Sequence, residues 1–399
     1  MPPRTIEDVD VAGKRVLMRV DFNVPLEDCG SITDDRRIRQ AMPGIESVLR
    51  RGGRLVLMSH LGRPKAVGVE PSLSLRRVAD RLRQLLGDTG VVFVAGDCTG
   101  AAATAAVTAL GDGEVVLLDN LRFDPGEKSG DPDFAARLAA FGDVYCNEAF
   151  GTAHRTDASM VAVPAAMGDR PKVAGPLLAK EISYLANVLE DPERPFVAVI
   201  GGAKVSDKLA ALRNLKGLVD VILIGGAMAY TFLQSLGAEV GSSLVEPALL
   251  DVARTILQGT GRTISYYPFD HRCGRAISPD TPVEVFEAIP DGWMGLDIGP
   301  ATAHRFAEMV AGARTVIWNG PLGVFEMPPF DTGSRRVAEA MAAATDDGAV
   351  TVVGGGDTAA AVESFGLAGR FSHVSTGGGA SLRMLEGKRF ESVDQLDGC

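Results

Sequence analysis

Phe196-Val197-Ala198-Val199-Ile200-Gly201-Gly202-Ala203-Lys204 is an unbroken apolar run that stops at two glycines and a lysine. With no polar residue on either face, such a run reads as a strand buried on both sides, the kind found in parallel sheets covered by helices. The same phrase recurs along the chain. The first half has it at 15–20, 55–58, 91–94, 115–118 and 144–146. The second half repeats it at 221–224, 263–267, 295–298, 315–318, 350–353 and 373–375. Helical stripes alternate with these runs. Leu75, Val78, Ala79, Leu82, Leu85 and Leu86 form one, which Gly87 ends, and Leu209, Leu212 and Leu215 form another. Residues 164–195 are rich in Pro and Gly, yet Leu178, Ile182, Leu185 and Leu189 keep helical spacing between Gly175-Pro176 and Glu190-Asp191-Pro192. The expected fold is α/β: two lobes, each a parallel sheet flanked by helices, joined by a bridging helix and hinge. The boundaries expected are 1–173, 174–190 for the helix, and 191–385.

Composition narrows the function. The chain has 399 residues, 46% hydrophobic and 23% charged, enough for two or three domains with their own cores. No apolar run reaches the length of a membrane span, and the first residues, Met1-Pro2-Pro3-Arg4, lack a signal-peptide core. A cytoplasmic protein without a membrane partner is expected. The net charge of −11 disfavours nucleic acid as a partner. Cys29, Cys98, Cys146, Cys273 and Cys399 are scattered and odd in number, which argues against a disulfide framework or a zinc site.

Ligands of open α/β sheets bind where the strands end at their carboxyl side. In the first half these ends are cationic and hydrogen-bonding: Asp21-Phe22-Asn23, Ser59-His60-Leu61-Gly62-Arg63, Asp119-Asn120-Leu121-Arg122 and Gly151-Thr152-Ala153-His154-Arg155, with Arg37 shortly after the first. Guanidinium groups fit phosphate and carboxylate oxygens, so arginines from several strand ends suit a small polyanion; singly, each could be a surface ion pair. In the second half the ends are glycine-rich: Gly201-Gly202-Ala203-Lys204, Gly225-Gly226-Ala227, Asn319-Gly320-Pro321, Gly354-Gly355-Gly356-Asp357 and Thr376-Gly377-Gly378-Gly379. Glycine admits close backbone approach, and helix N-termini beyond it offer amides to phosphates. Lys204 and Lys208 are expected on one face at a helix start, where a phosphate would lie between them. Asp357 is expected to reach a Mg²⁺ held mainly by nucleotide oxygens, to cap a helix opening at Thr358, or to do both. The chain lacks G-x-x-x-x-G-K-[ST] and G-x-G-x-x-G, so P-loop and nicotinamide-dinucleotide classes are disfavoured.

Taken in order, Arg19-Val20-Asp21-Phe22-Asn23-Val24-Pro25, Ser59-His60-Leu61-Gly62-Arg63-Pro64, Asn120-Leu121-Arg122-Phe123, Ala149-Phe150-Gly151-Thr152-Ala153-His154-Arg155, Gly201-Gly202-Ala203-Lys204-Val205, Trp318-Asn319-Gly320-Pro321-Leu322-Gly323-Val324-Phe325-Glu326, Gly354-Gly355-Gly356-Asp357-Thr358 and Ser375-Thr376-Gly377-Gly378-Gly379 resemble the phosphoglycerate kinase family over nearly the whole chain. The resemblance implies two Rossmann-like lobes and reversible phosphoryl transfer between 1,3-bisphosphoglycerate and MgADP, giving 3-phosphoglycerate and MgATP, in line and directly on hinge closure. It implies that Asp21, Asn23, His60, Leu61, Gly62, Arg63, Arg122 and Arg155 hold the phosphoglycerate, with Arg37 as the catalytic arginine. Arg36 precedes it, so the alignment could slip by one. Lys204 would track the migrating phosphoryl and Gly378 would direct a helix-end amide at it. Gly202, Ala203, Lys208, Gly226, Asn319, Gly323, Glu326, Gly355, Gly356 and Thr358 would bind nucleotide, and Asp357 would hold Mg²⁺. A monomer is implied, with residues 386–399 packing on the first lobe.

Several positions depart from the family pattern. Glu148 stands where Asp is usual, Asp119 where Glu is usual, Gly44 where Thr or Ser follows Pro43, and Ala227 where a third glycine is common. Residues 267–274, Tyr-Pro-Phe-Asp-His-Arg-Cys-Gly, do not resemble the usual apolar strand and are expected to lie away from the phosphates. None removes a catalytic group. The competing reading is a non-catalytic nucleotide-binding relative.

Overall fold

The computed structural model describes residues 3–27, 29–258, 262–375 and 377–398. It divides into two compact units, Met1–Ser183 with Arg389–Cys399, and Tyr184–Lys388. Cys399 and Thr376 lie outside the described residues.

In the first unit six strands, β1 (Arg15–Arg19), β2 (Arg54–Met58), β3 (Val91–Val94), β4 (Val115–Leu118), β5 (Val144–Asn147) and β6 (Lys172–Ala174), form a parallel sheet in the order β3-β4-β2-β1-β5-β6. Its central strands are buried along nearly their whole length, as the apolar runs require. Arg19 pairs with Met58 on one side and Asn147 on the other, so β1, β2 and β5 end level and deliver their following loops to one edge. The expected stripe is the helix Arg76–Leu86, capped at Gly87. Residues near the carboxyl terminus pack here. Ser392 Oγ donates to the Ala153 carbonyl at 2.6 Å, and Asp397 exchanges backbone bonds with Arg4 and Lys172.

The second unit has a matching parallel sheet. Its strands are β7 (Phe196–Ile200), β8 (Val221–Ile224), β9 (Ile264–Tyr266), β13 (Thr315–Asn319), β14 (Val350–Gly354) and β15 (His373–Val374), in the order β15-β14-β13-β7-β8-β9. Asn319 is level with Ile200 and Gly354, and Ile200 with Ile224, so the glycine loops also share an edge. The two parallel sheets bear out the expected fold class.

Three strands are additional: β10 (His271–Gly274), β11 (Glu284–Phe286) and β12 (Met294–Ile298) form a small antiparallel sheet, β11-β10-β12. The 295–298 run therefore pairs antiparallel with β10 and belongs to neither parallel sheet. Its apolar pattern fits either setting, and its partner carries no apolar signal. The helix Pro176–Glu190 matches the expected start and stop, and the chain passes from one unit to the other within it.

Candidate active site

In the first unit the loops after β1, β2, β4 and β5 converge on His60. This imidazole is buried, and it is held well below the ordinary histidine value by burial first and then by the charges of Arg19, Arg122, Arg155 and Arg37. It is neutral at physiological pH. Arg37, in the first turn of the helix Arg36–Arg50, donates to Asp21 Oδ2 at 2.8 Å, whereas its neighbour Arg36 pairs outward with Asp34. Arg37 is the arginine that reaches this edge. Asn23 Oδ1 accepts from the Gly62 amide at 2.8 Å, and Arg122 Nη1 donates to the Gly62 carbonyl at 2.8 Å, so the 60–63 loop is held from two sides. Leu61 is buried and its carbonyl accepts from Asn120 Nδ2 at 2.7 Å. Arg63 is exposed, and Arg155 is half-buried. The Nε of Arg122 and that of Arg155 are buried with no hydrogen-bond partner among the described residues, which leaves donors for an added anion.

The support beneath explains the placement. Asp119 is buried behind the arginines and accepts from the amides of Leu75 at 2.8 Å and Gly96 at 3.0 Å. Asn120 turns the chain by accepting from the Arg122 amide at 3.1 Å. Arg19, Glu127, Ser159 and Asp157 also belong to the site, though none stood among the expected residues. Arg19 contacts His60, and Asp157 pairs with Arg122 at 3.3 Å. A charged residue closing a buried strand was the available signal for Arg19. Glu127 and Ser159 carry none, since their pairing spans 32 residues.

In the second unit the glycine loops pack backbone against backbone. A Cβ at Gly226 would lie 2.6 Å from the Gly202 nitrogen, and one at Gly320 would lie 2.1 Å from the Gly201 carbonyl; both residues have positive φ, so only glycine fits. Beside them is a pocket of about 290 Å³ lined by Ala227, Tyr230, Leu244, Ile277, Leu296 and Val324, with Gly202, Ala203, Gly323, Glu326 and Asp357 at its polar margin. An apolar slot with a few polar groups at one end suits a nucleotide base and ribose. Thr358 Oγ1 accepts from the Gly320 amide at 2.7 Å, tying two of the loops. The helices Gly356–Ser364 and Gly378–Leu385 begin side by side: a Cβ at Gly378 would lie 2.7 Å from the Gly356 nitrogen. Gly355 is the N-cap of the first.

Two expectations are corrected. Lys204 and Lys208 do not share a helix face. The helix is Leu209–Leu215, with Lys208 as its N-cap and Lys204 in irregular chain ahead of it, because a turn over 206–208, closed by the Lys208 amide donating to the Val205 carbonyl, intervenes. Lys208 Nζ donates to Asn319 Oδ1, and burial pulls its ammonium below the ordinary lysine value while Asp207 and Asp357 act the other way. Asp357 is not an N-cap, since the helix starts at Gly356, two residues before Thr358, and leaves its carboxylate exposed in the first turn.

Residues 267–274 prove to be part of the pocket wall's support. Asp270 caps the helix Pro300–Ala311 by accepting from the Ala301 and Thr302 amides at 2.9 and 2.7 Å, and the His271 ring lies 5.4 Å from that of Tyr230. Asp297, also unexpected, lines the pocket and accepts from the Gly333 amide at 2.6 Å. Burial pushes its carboxyl up to about 8.

A convergent arginine cluster in one unit and glycine loops beside an apolar pocket in the other suit the phosphoryl-transfer class, which relies on positive charge and positioning rather than a covalent nucleophile. A family profile described as phosphoglycerate kinase matches residues 6–388. The chain is 53% identical over 401 residues to phosphoglycerate kinase of Rhodopirellula baltica, with 100% of both chains covered. It is 52% identical over 401 residues to that of Chloroflexus aurantiacus, with 99% of each covered. Among solved structures, phosphoglycerate kinase from Coxiella burnetii matches with TM-score 0.88 at 36% identity, covering 99% of this chain and 98% of that one. The enzyme from Pyrococcus horikoshii matches with TM-score 0.85 at 29% identity, covering 98% of each. The chain belongs to the phosphoglycerate kinase family. Its activity is the reversible transfer of a phosphoryl group between 1,3-bisphosphoglycerate and ADP, and the non-catalytic alternative is not favoured.

Proposed function

We propose that the cluster around His60 holds the phosphoglycerate and that the pocket beside Asp357 holds the nucleotide, with direct in-line transfer when the hinge closes. In this reading Asp21, Asn23, His60, Leu61, Gly62, Arg63, Arg122 and Arg155 bind 3-phosphoglycerate, and Arg37 stands beside the reacting carboxylate. Lys204 follows the phosphoryl group, the Gly378 amide is aimed at it, Lys208 and the Gly355 and Gly356 segment meet the nucleotide phosphates, and Glu326 meets the ribose. The observation that carries the reading is the focus of four guanidinium groups on one buried neutral imidazole. Asp21, Asp157 and, through Ser159, Glu127 offset part of this charge, and the buried Nε donors of Arg122 and Arg155 that no described residue meets suit an added anion.

Among the described residues no group of three or more His, Cys, Asp or Glu could hold a metal alone. A lone exposed carboxylate, Asp357, fits a Mg²⁺ that takes its other ligands from nucleotide phosphates and water. When bound, that ion neutralises phosphate charge. The chain's own contribution is to fix both substrates, exclude water and aim donors where charge develops. We further propose a cytoplasmic monomer, for which light scattering would give about the chain mass of 41.8 kDa.

The test is an assay from 3-phosphoglycerate and MgATP, coupled through glyceraldehyde-phosphate dehydrogenase. Turnover is expected in the native chain and should fall by about 10²–10³-fold in Arg37→Ala and in Lys204→Ala, the scale of one lost transition-state donor. Folded variants with undiminished turnover would remove both residues from the reaction.

A further inference from the structure

His60 Nδ1 lies 3.1 Å from Arg19 Nη2, and both side chains are buried. A guanidinium has donors and no acceptor, so this ring nitrogen must be the accepting one. The ring proton of the neutral imidazole therefore sits on Nε2. Asp21 Oδ1, at 4.0 Å from the same Nδ1, is beyond hydrogen-bond reach.

Arg19 is itself aimed from behind. Its Nε donates to Ser159 Oγ at 2.8 Å, and a second nitrogen donates to the Val20 carbonyl. Ser159 Oγ has a single proton and gives it to Glu127 Oε1 at 2.6 Å, while the Ser159 amide donates to Glu127 Oε2 at 2.9 Å. Glu127, Ser159 and Arg19 are each 0% exposed. Burial pushes the Glu127 carboxyl up while Arg19 and the Ser159 bonds act the other way. With Glu127 ionised, each bond runs one way: His60 accepts from Arg19, which donates also to Ser159, which donates to Glu127. Burial of Arg19 without a countercharge would be costly, and Glu127 supplies one.

We propose that Ser159 and Glu127 are positioning residues for the phosphoglycerate half of the reaction. They aim Arg19 so that His60 is locked with its proton on Nε2 and meets an anionic substrate as a neutral donor. The proposal rests on reading His60 as a phosphoglycerate ligand. The lock has a purpose because a freely turning imidazole offers a lone pair as readily as a proton, and a lone pair repels an anion. A second ring proton is opposed by burial and by the charges of Arg19, Arg122, Arg155 and Arg37, which come from four separate segments; Asp21 is the nearby carboxylate. Directing the neutral tautomer is the remaining way to secure a donor.

The test uses ¹⁵N-labelled full-length protein and two-bond ¹H–¹⁵N correlation spectra of its five histidines, with His60 assigned by its loss in His60→Gln. From pH 5.5 to 8 His60 is expected to show a protonated Nε2, an unprotonated Nδ1 and no titration. In Ser159→Ala and Glu127→Gln it should titrate or show both tautomers. The KM for 3-phosphoglycerate should rise about tenfold in these variants, with kcat and the KM for MgATP nearly unchanged, as for loss of a ground-state hydrogen bond. A native His60 protonated on Nδ1, or titrating like a free histidine, overturns the proposal even if neither variant folds. So does a Ser159→Ala protein whose His60 spectrum is unaltered. A locked His60 whose Gln variant keeps its KM for 3-phosphoglycerate would overturn the reading of the site while leaving the lock in place.

Discussion

Glu148 occupies the space that a side chain at Gly44 would need. A Cβ built on Gly44 falls 2.5 Å from Glu148 Oε1, and one on Gly175 falls 2.0 Å from Oε2. The carboxyl is fully buried and cannot swing away, since Oε2 accepts from the Leu177 amide at 3.0 Å and the Leu178 amide at 3.3 Å, capping the Pro176–Glu190 helix. Two departures from the family pattern, Glu148 for Asp and Gly44 for Thr or Ser, are thus one exchange of volume.

Gly44→Ala should destabilise the protein by about 1–3 kcal/mol through overpacking, although alanine is the better helix former. Shortening the opposing side chain should relieve it. In the cycle Gly44→Ala, Glu148→Asp and the double variant, urea unfolding is expected to show the double costing less than the sum of the singles. Additive costs would mean that the two positions do not share the space.

The same carboxyl sets a pH dependence. Burial pushes Glu148 up to about 8 from an ordinary value of 4.5. An acid raised on folding contributes stability that is fully present below the unfolded value and is lost as pH rises through the folded one, here between about pH 4.5 and 8. Glu148→Gln keeps an acceptor for the amides and cannot ionise. Its stability should gain on the native chain from pH 5 to about pH 8 and level off above that, and a constant difference from pH 5 to pH 9 would contradict the shift.

Gly323 has no room for a side chain, since a Cβ there would lie 2.2 Å from Asp297 Oδ1 and 2.5 Å from the Phe330 carbonyl. Both groups are buried, so in Gly323→Ala the loop carrying Glu326 must move. The KM for MgATP should rise about tenfold while that for 3-phosphoglycerate stays put. An equal rise in both would place the damage elsewhere.

Asp357→Asn leaves the helix start unchanged in shape and removes the charged oxygen available to a hard cation. At fixed ATP, the Mg²⁺ concentration giving half-maximal rate should increase and the maximal rate should drop. A superimposable Mg²⁺ titration would exclude Asp357 as a ligand.

The parallel sheets were readable because both-face burial leaves no polar residue inside a strand, so the first polar residue after each run marks a strand end. Asp21, Ser59 and Asp119 stand out that way, and the glycines Gly201 and Gly354 mark the ends of their runs in the same manner. β6 was not readable, since Lys172-Val173-Ala174 is three residues with a charge at one end. β10 escaped because His271-Arg272-Cys273-Gly274 carries no apolar period, and without it the 295–298 run reads as one more strand of the parallel sheet. The lysine pair misled because a four-residue spacing says nothing about whether the helix has begun. The support beneath His60 depends on Arg19 meeting Ser159, 140 residues away, which no local pattern encodes.

The docking of residues 390–397 on the first unit has a bearing on synthesis. Phe390 lies 6.4 Å from Phe150, ring to ring, and Asp397 bonds the backbone at Arg4 and Lys172. Residues 184–388 are contiguous and need nothing downstream to complete their sheet. The unit whose chain leaves the ribosome first must therefore wait for its closing segment until the other has fully emerged, so order of translation and order of completion run opposite ways.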